Sequence, residues 1–306
     1  MDDKSKKANR YMISFSKYRS VIAVIACSIT LLFSAFAICG SIVLFVRDGE
    51  EVSKLFRYFT TLSNSITALA SGFILPYAIN GIRKQRFIYP KWMCRFHCAG
   101  TICTTLTFIF ALACILPVNR ELAIGGYNTY LHIVCPLTVL ISFFMMEISY
   151  DLTVKDMFLC LIPAFLYTLV YLIMVVLVGE DKGGWDDIYM VTKFIPPFFS
   201  LLAVWALALA IAFGIIKTEN HINSKRRKRM LDAFDKNDFD PVELKIEVFG
   251  LGRFYGEQGE EDDLSVPYDI LDALAKKYSL NIYELLSLYT KGLIDGVKEH
   301  SEKNNE

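Results

Sequence analysis

Six long runs without Asp, Glu, Lys or Arg constrain this chain more than any other feature. They cover residues 20–46, 58–80, 98–118, 122–146, 157–178 and 194–216. A helix needs roughly 20 apolar residues to cross a bilayer. The first run is longer than the apolar core of a cleaved signal peptide, so we expect it to be retained. The sequence therefore predicts an all-α membrane protein whose six transmembrane helices occupy residues 20–216.

Lysine and arginine in the short connections predict how these helices are oriented. The N-terminal segment 1–19, the connection 81–97 and the segment 217–229 are basic, whereas the other connections are poor in cations or balanced by acidic residues. Basic loops remain on the cytoplasmic side, so both termini are expected in the cytoplasm of a multi-pass cell-membrane protein. Aromatic residues interleaved with the cations of 81–97 indicate contact with membrane lipids, not with nucleic acid.

Residues 217–306 are polar and predict a cytoplasmic tail with a small, mainly helical module at about 265–300. One helix is expected to begin at Pro267, an allowed first-turn position. A second is expected at Asn281, whose spacing to Glu284 fits a capping box. The weak alternation over 244–249 predicts a short strand. The apolar face of this module requires a partner, which is the module itself, a second copy of this chain or another protein.

The eight cysteines predict neither a disulfide framework nor a metal site. Six of them lie in the interior of the apolar runs, where cysteine behaves as a small hydrophobe, and Cys98 is the first residue of the third run. Cys94, His97 and Cys98 share one helical face, but the sequence offers no second cluster to complete a tetrahedral site. We therefore expect no metal and no cofactor.

Two polar features stand out inside the apolar runs. His132 is the one histidine deep within any of them, and a titratable group in a membrane span is a functional-site hypothesis by default. Its alternative role is a hydrogen bond to a neighbouring helix. Thr60, Ser63, Asn64 and Thr67 follow helical spacing and share one face of the second helix. Such a stripe faces protein or a wet cavity, or it joins helices by hydrogen bonds.

The predicted topology brings both features into the outer leaflet. The second and fourth helices both enter from the outer side, so Thr60 lies about one turn in and His132 roughly two turns in. Asn128 is four residues before His132 and falls on the same helical face. We therefore expect Thr60, Asn64, Asn128 and His132 to form one polar pocket that opens outward.

Acyl transfer is the chemistry that such a pocket supports. A threonine hydroxyl is a weak nucleophile until a base within hydrogen-bond reach accepts its proton, and a neutral histidine is the natural base. The group that orients the histidine stays open, with Asn128, Asp186 and Asp187 as candidates. Thr61 leaves the identity of the nucleophile ambiguous by one residue.

Three segments agree with a known family in order and spacing. They are Arg57-Tyr58-Phe59-Thr60-Thr61-Leu62, Asn128-x-x-x-His132 followed by Pro136, and Gly184-Trp185-x-x-x-Tyr189. Over about residues 20–216 the chain resembles the family of the androgen-induced protein and the androgen-dependent TFPI-regulating protein, and is most like its bacterial relatives. The resemblance implies a six-helix membrane hydrolase of fatty acid esters of hydroxy fatty acids. It puts the catalytic threonine on Thr60 and the catalytic histidine on His132.

These observations predict an integral membrane hydrolase of lipid acyl esters, with Thr60 as nucleophile and His132 as base. Four further residues are expected to bind substrate or orient the pair: Asn64, Asn128, Trp185 and Tyr189. Transfer of the acyl group to a second lipid uses the same pair and stays open. The alternative class is a non-catalytic membrane anchor or sensor that acts through a protein partner of its cytoplasmic tail.

Overall fold

The part of the chain that the structure describes is mainly helical and contains no strand. The structure is a computed structural model and describes residues 3–84, 90–146, 152–189, 192, 196–235, 241–256 and 268–304. Six of its helices are long and apolar enough to cross a membrane. We call them spans 1 to 6, and they are Ser20–Arg47, Phe59–Arg83, Lys91–Ile115, Tyr127–Met145, Val154–Val178 and Pro197–Lys225. The predicted all-α, six-span membrane protein is confirmed.

The described residues contain α-helices, one 3₁₀ turn and three π-helical turns. The α-helices are Asp3–Arg47, Val52–Leu55, Phe59–Lys84, Lys91–Phe110, Arg120–Ile124, Tyr127–Thr129, Cys135–Met145, Val154–Leu172, Pro197–Asp235, Pro241–Gly256, Tyr268–Lys277 and Ile282–Asn304, with a 3₁₀ turn at Glu180–Lys182. The π-helical turns are Ala111–Ile115, Tyr130–Val134 and Ile173–Val178. All three lie toward the end of the bundle where span 2 begins, which we call the Thr60 end. Turns of this kind are frequent at functional sites.

The membrane-spanning unit comprises residues 19–82 and 87–220. Small residues allow its helices to approach closely, as is usual for helices packed in lipid. A Cβ atom on Gly100 would lie 2.9 Å from Oγ1 of Thr67, and one on Gly40 would lie 2.2 Å from the ring of Tyr127. Span 2 therefore contacts span 3 at Thr67, and span 1 contacts span 4 at Tyr127.

The end of the bundle opposite to Thr60 is fixed by a buried carboxylate. Asp156 caps the first turn of span 5 together with Thr153 and lies 2.7 Å from the guanidinium of Arg95 in span 3. Lys91 adds a second cation at 3.3 Å. The side-chain amide of Asn220 in span 6 bonds both the N–H and the carbonyl of Leu152. Charge-assisted bonds thus hold span 3 to span 5 at this end, and the neutral bonds of Asn220 hold span 6 to the residue that precedes span 5.

The cysteine and histidine face of span 3 is packed inside the protein. The His97 ring lies 5.3 Å from the ring of Phe143, and neither of its nitrogens has a hydrogen-bond partner in the described part of the chain. Among the described residues no group of three or more His, Cys, Asp or Glu is arranged to hold a metal ion.

A second unit contains residues 1–18, 83–86 and 221–306. Its helices Pro241–Gly256 and Ile282–Asn304 cross closely: a Cβ on Gly252 would meet the carbonyl of Tyr289 at 2.0 Å, and one on Gly292 would meet that of Phe249 at 2.1 Å. Asn281 caps the last helix by accepting the N–H of Tyr283 at 2.9 Å. The C-terminal part is helical, as predicted.

The predicted strand at 244–249 was wrong, because these residues belong to helix Pro241–Gly256. Leu244 and Val248, four residues apart, are buried, while Ile246 between them is 63% exposed. The burial thus follows the period of a helix and not the alternation of a strand. The predicted helix start at Pro267 lies outside the described residues.

Candidate functional site

The structure brings together the threonine and the histidine that the sequence singled out. Oγ1 of Thr60, in the first turn of span 2, lies 3.1 Å from Nε2 of His132 in span 4. Both side chains are buried. This is the hydrogen-bond distance that a general base requires for the proton it removes.

A backbone carbonyl orients the imidazole. Nδ1 of His132 lies 2.7 Å from the carbonyl oxygen of Ala123. A carbonyl can only accept, so Nδ1 carries the proton and Nε2 of the neutral ring is the acceptor for the Thr60 hydroxyl. The site therefore has the order carbonyl, imidazole and hydroxyl, with the base oriented by a third group.

A capped short helix and a glycine turn place the Ala123 carbonyl beside His132, nine residues later in the chain. Ala123 lies in the short helix Arg120–Ile124, which Asn119 caps by accepting the N–H of Leu122. Gly125 ends that helix at a point where a Cβ would lie 2.4 Å from the carbonyl oxygen of Glu121. Gly126 follows with φ of +51°, a conformation that glycine adopts at little cost. These two glycines let the chain reverse so that the helix lies beside the start of span 4.

Pro136 explains a second backbone contact at the site. In the π-helical turn Tyr130–Val134 the N–H of Cys135 bonds the carbonyl of Tyr130. The donor for the next carbonyl, that of Leu131, would be the nitrogen of Pro136, which has no N–H. The side-chain amide of Asn64 supplies the missing bond at 3.1 Å and also donates to the carbonyl of Thr60 at 2.8 Å. Asn64 thus ties span 2 to span 4.

The remaining polar residues of the span 2 stripe join helices. The hydroxyl of Ser63 lies 3.0 Å from that of Thr107 in span 3, and Thr67 packs against Gly100. One stripe therefore serves two roles: Thr60 contacts the histidine, while Ser63, Asn64 and Thr67 hold span 2 to its neighbours.

A cavity adjoins Thr60 at this end of the bundle. Its empty volume is about 690 Å³, including its mouth, and its wall is formed by spans 2, 3, 5 and 6 together with Tyr189. Its wall is mainly apolar and includes Leu106, Leu172 and Val204. None of the described residues that line it is charged. Thr60 belongs to this wall, whereas His132 does not line the cavity and contacts Thr60. An uncharged apolar group in the cavity would therefore reach the Thr60 hydroxyl before it reached the imidazole.

The loop between spans 5 and 6 folds over the cavity through aromatic contacts. The phenol of Tyr189 lines the cavity and accepts the backbone N–H of Phe59 at 2.9 Å. Trp185 does not line it, but its ring lies 6.4 Å from that of Tyr167 and 6.1 Å from that of Tyr171. Both of those tyrosines line the wall. Trp185 therefore covers the rings that the cavity exposes.

Hydrogen bonds fix this loop in place. The hydroxyl of Tyr171 donates to the carboxylate of Asp187 at 3.2 Å and accepts the N–H of Tyr189 at 3.1 Å. Asp187 also accepts the N–H of Thr192 at 2.8 Å. A Cβ on Gly184 would lie 2.2 Å from the carbonyl of Met174, so the loop returns closely along the end of span 5.

Not every predicted site residue reaches the site. Asn128 is half-buried, does not line the cavity and makes no side-chain hydrogen bond within the described part of the chain. Thr61 is buried but does not line the cavity. Asp187 serves Tyr171 and Thr192, and the orienting group that the sequence left open is the Ala123 carbonyl instead.

Residue-type reasoning missed three contributors: Ala123, Tyr167 and Tyr171. Ala123 acts through its backbone, which no side-chain pattern reveals, although Gly125-Gly126 marked a sharp turn nearby. Tyr167 and Tyr171 stand one turn apart in span 5, and their rings are 5.9 Å apart. Two tyrosines four residues apart share one face of a membrane helix, and this spacing could have indicated that they line a site.

The fold and the site define a multi-pass helical membrane protein with a buried threonine–histidine pair beside an apolar cavity. Comparisons of the chain with family models, with curated proteins and with solved structures found no match.

Proposed function

We propose that the protein is an integral membrane hydrolase of lipid acyl esters. The single observation that carries the proposal is the Thr60–His132 contact of 3.1 Å with Nδ1 of His132 bonded to the Ala123 carbonyl at 2.7 Å. Nucleophile, base and orienting group stand in the order required for covalent acyl transfer. The apolar cavity beside Thr60 accepts an acyl chain.

The family resemblance of residues 57–62, 128–136 and 184–189 supports the same chemistry and supplies the substrate class, fatty acid esters of hydroxy fatty acids. Hydrolysis and transfer to a second lipid share their first half, in which Thr60 takes the acyl group. They differ in whether water or a lipid alcohol accepts it. We assign membrane lipids as substrates and the cell membrane as the location.

Labelling with a fluorophosphonate probe tests the proposal. The detergent-purified protein is treated with the probe beside Thr60→Ala, Thr61→Ala and His132→Ala. We expect labelling of the wild type and of Thr61→Ala, and loss of labelling in the other two, because the side chain of Thr60, unlike that of Thr61, bonds His132 in the described part of the chain. A wild type that stays unlabelled while folded contradicts the proposal.

The C-terminal unit favours a second candidate function, that of an anchor or sensor working through a protein partner. This unit has its own core, which includes Leu244, Leu271 and Leu285. It also exposes large apolar side chains, with Ile246 at 63% and Tyr283 at 77%. Removing residues 230–306 separates the two candidates. The hydrolase keeps its labelling and turnover after truncation, whereas the partner-dependent protein loses its function.

A further inference from the structure

We propose that the hydroxyl of Tyr189 donates a hydrogen bond to the oxyanion that forms when Thr60 attacks an acyl ester. The assignment rests on the acyl-transfer function proposed above and adds the group that stabilises the developing charge. Such donors usually contribute more to acyl transfer than any other single group.

The hydrogen bond that Tyr189 accepts leaves its own proton available to a group in the cavity. Its oxygen accepts the N–H of Phe59 at 2.9 Å, and a phenol that accepts one bond still has its own O–H to donate. Tyr167 gives its proton to the carbonyl of Arg57 at 2.7 Å, and Thr60, which lines the same cavity as Tyr189, gives its proton to His132. The protons of these two hydroxyls are therefore used elsewhere, and the O–H of Tyr189 remains to donate to a group in the cavity.

Tyr189 also faces the place where substrate must lie. Thr60 and Tyr189 both line the cavity. An ester whose carbonyl carbon approaches Oγ1 of Thr60 from the cavity brings its carbonyl oxygen beside the Tyr189 hydroxyl. The two asparagines expected from the sequence are placed differently: Asn64 uses its amide on two backbone carbonyls, and neither Asn64 nor Asn128 lines the cavity.

The start of span 2 strengthens Tyr189 as a donor. Phe59 is the first residue of that span, and the N–H groups at a helix start carry partial positive charge. Because Phe59 donates to the Tyr189 oxygen, it polarises the phenolic O–H, as linked hydrogen bonds do. The positive end of the helix thereby helps the phenol to stabilise negative charge on the substrate oxygen.

The reaction step is balanced without any proton transfer by Tyr189. As Oγ1 of Thr60 bonds the carbonyl carbon, its proton moves to Nε2 of His132 and the π electron pair moves to the carbonyl oxygen. When that pair returns, the bond to the leaving alcohol breaks and the alcohol takes the proton from His132. Water then attacks the acyl-threonine in the same way, and Thr60 regains its proton.

Replacing Tyr189 by phenylalanine in the full-length, detergent-purified protein tests the assignment. The ring and its contacts stay, while the donor is lost. With a p-nitrophenyl ester of a medium-length fatty acid as probe, we expect kcat to fall about 10²- to 10³-fold, with KM changed little. Tyr77→Phe removes a hydroxyl from span 2 outside the cavity wall and is the matched control, expected to keep wild-type kcat.

Each outcome bears on a stated claim. A wild type without Thr60-dependent turnover overturns the proposed function and this inference together. If turnover by the wild type depends on Thr60 but Tyr189→Phe keeps its kcat, or changes only its KM, the inference is overturned and the proposed function stands.

A second pair of variants covers the case in which Tyr189→Phe unfolds at a lower temperature than the wild type. Tyr189→Gln and Tyr189→Met are close in volume and differ in their ability to donate a hydrogen bond. We expect the glutamine variant to have the higher kcat by at least about tenfold, since one donor to an oxyanion is worth that much or more. Equal kcat values overturn the inference.

Discussion

The side-chain amide of Asn64 donates to the carbonyl of Leu131 at 3.1 Å, across the boundary between spans 2 and 4. The carbonyl of Leu131 lies five residues before Pro136, which has no N–H to donate to it in the π-helical turn. The same amide bonds the carbonyl of Thr60 at 2.8 Å. One side chain thus fixes the backbone beside each member of the Thr60–His132 pair.

Asn64→Leu is expected to destabilise the protein and to lower turnover. The variant leaves the Leu131 carbonyl buried without a donor, which costs about 1–3 kcal/mol. Unfolding of the detergent-purified protein measures the change. The control is Ser65→Ala, whose hydroxyl bonds the Thr61 carbonyl of its own helix and whose loss should cost no more than about 0.5 kcal/mol. Equal stability of the two variants would refute the bridging role of Asn64.

Thr60→Ser and Thr60→Val separate chemistry from packing. Serine keeps the hydroxyl that contacts Nε2 of His132, so we expect labelling and turnover to persist. Valine keeps the shape but has no nucleophile, and we expect turnover to fall by about 10³-fold or more, as in triads that lose a member. Fluorophosphonate labelling and ester hydrolysis are the measurements. Turnover by Thr60→Val near the wild-type rate would exclude Thr60 as nucleophile.

Gly125→Ala should impair catalysis through the orienting carbonyl. A Cβ there would lie 2.4 Å from the Glu121 oxygen, so the helix that presents the Ala123 carbonyl must shift. We expect kcat to fall by about tenfold or more, because a displacement near 1 Å costs up to 10²-fold. Gly214→Ala is the control, since nothing lies within 4 Å of the added atom. Equal rates for the two variants would show that the Ala123 contact is dispensable.

The rate of ester hydrolysis should fall as the pH is lowered and should hold between neutral pH and about 9. His132 must be neutral to accept the Thr60 proton, so we expect turnover to fall on acidification with a slope of one. Burial raises the pKa of the Tyr189 phenol above its ordinary value, and the titratable groups around it are the phenols of Tyr58, Tyr167 and Tyr171. The phenol thus stays protonated beyond pH of about 10. A pH–rate profile measures both limits, and a loss of turnover between pH 8 and about 9 would contradict the role of Tyr189.

Gly252→Ala and Gly292→Ala should destabilise the C-terminal unit without affecting the site. Each added Cβ meets a backbone carbonyl at 2.0–2.1 Å, an overpacking that costs about 1–3 kcal/mol. Gly250→Ala meets nothing within 4 Å and is the control. Hydrogen exchange of 241–256 and 282–304 reports the loss, and probe labelling of Thr60 should persist. Loss of labelling in the glycine variants alone would make catalysis depend on the C-terminal unit.

The number of spans followed directly from composition, because lipid tolerates few side-chain types and requires about 20 residues per crossing. The Thr60–His132 contact followed from topology, since two helices entering from one side place residues of similar depth together. Which of Thr60 and Thr61 contacts His132 required the structure, because neighbouring residues on a helix face directions about 100° apart.

Other parts of the site were beyond the reach of the sequence. The Ala123 carbonyl carries no residue signature, and the Phe59 N–H meets Tyr189 across 130 residues of chain. Asn128 was expected beside His132 because four residues make about one α-helical turn. The π-helical turn that begins at Tyr130 lies between them and changes that spacing. Pro136 was visible in the sequence, but its effect on Leu131 depends on that turn.

The π-helical turn at Tyr130–Val134 makes the site sensitive to chain length. A π turn accommodates one residue more than the α-helix around it. Deleting one residue there would restore regular α geometry and leave the helix on either side facing nearly the same directions, because a π turn rotates the chain about as far as an α turn with one residue fewer. The hydrophobic character of the span would hardly change, and the protein would still insert. His132 lies within the turn, so its ring would change direction, and a deletion invisible to hydropathy would break its contacts with Thr60 and Ala123.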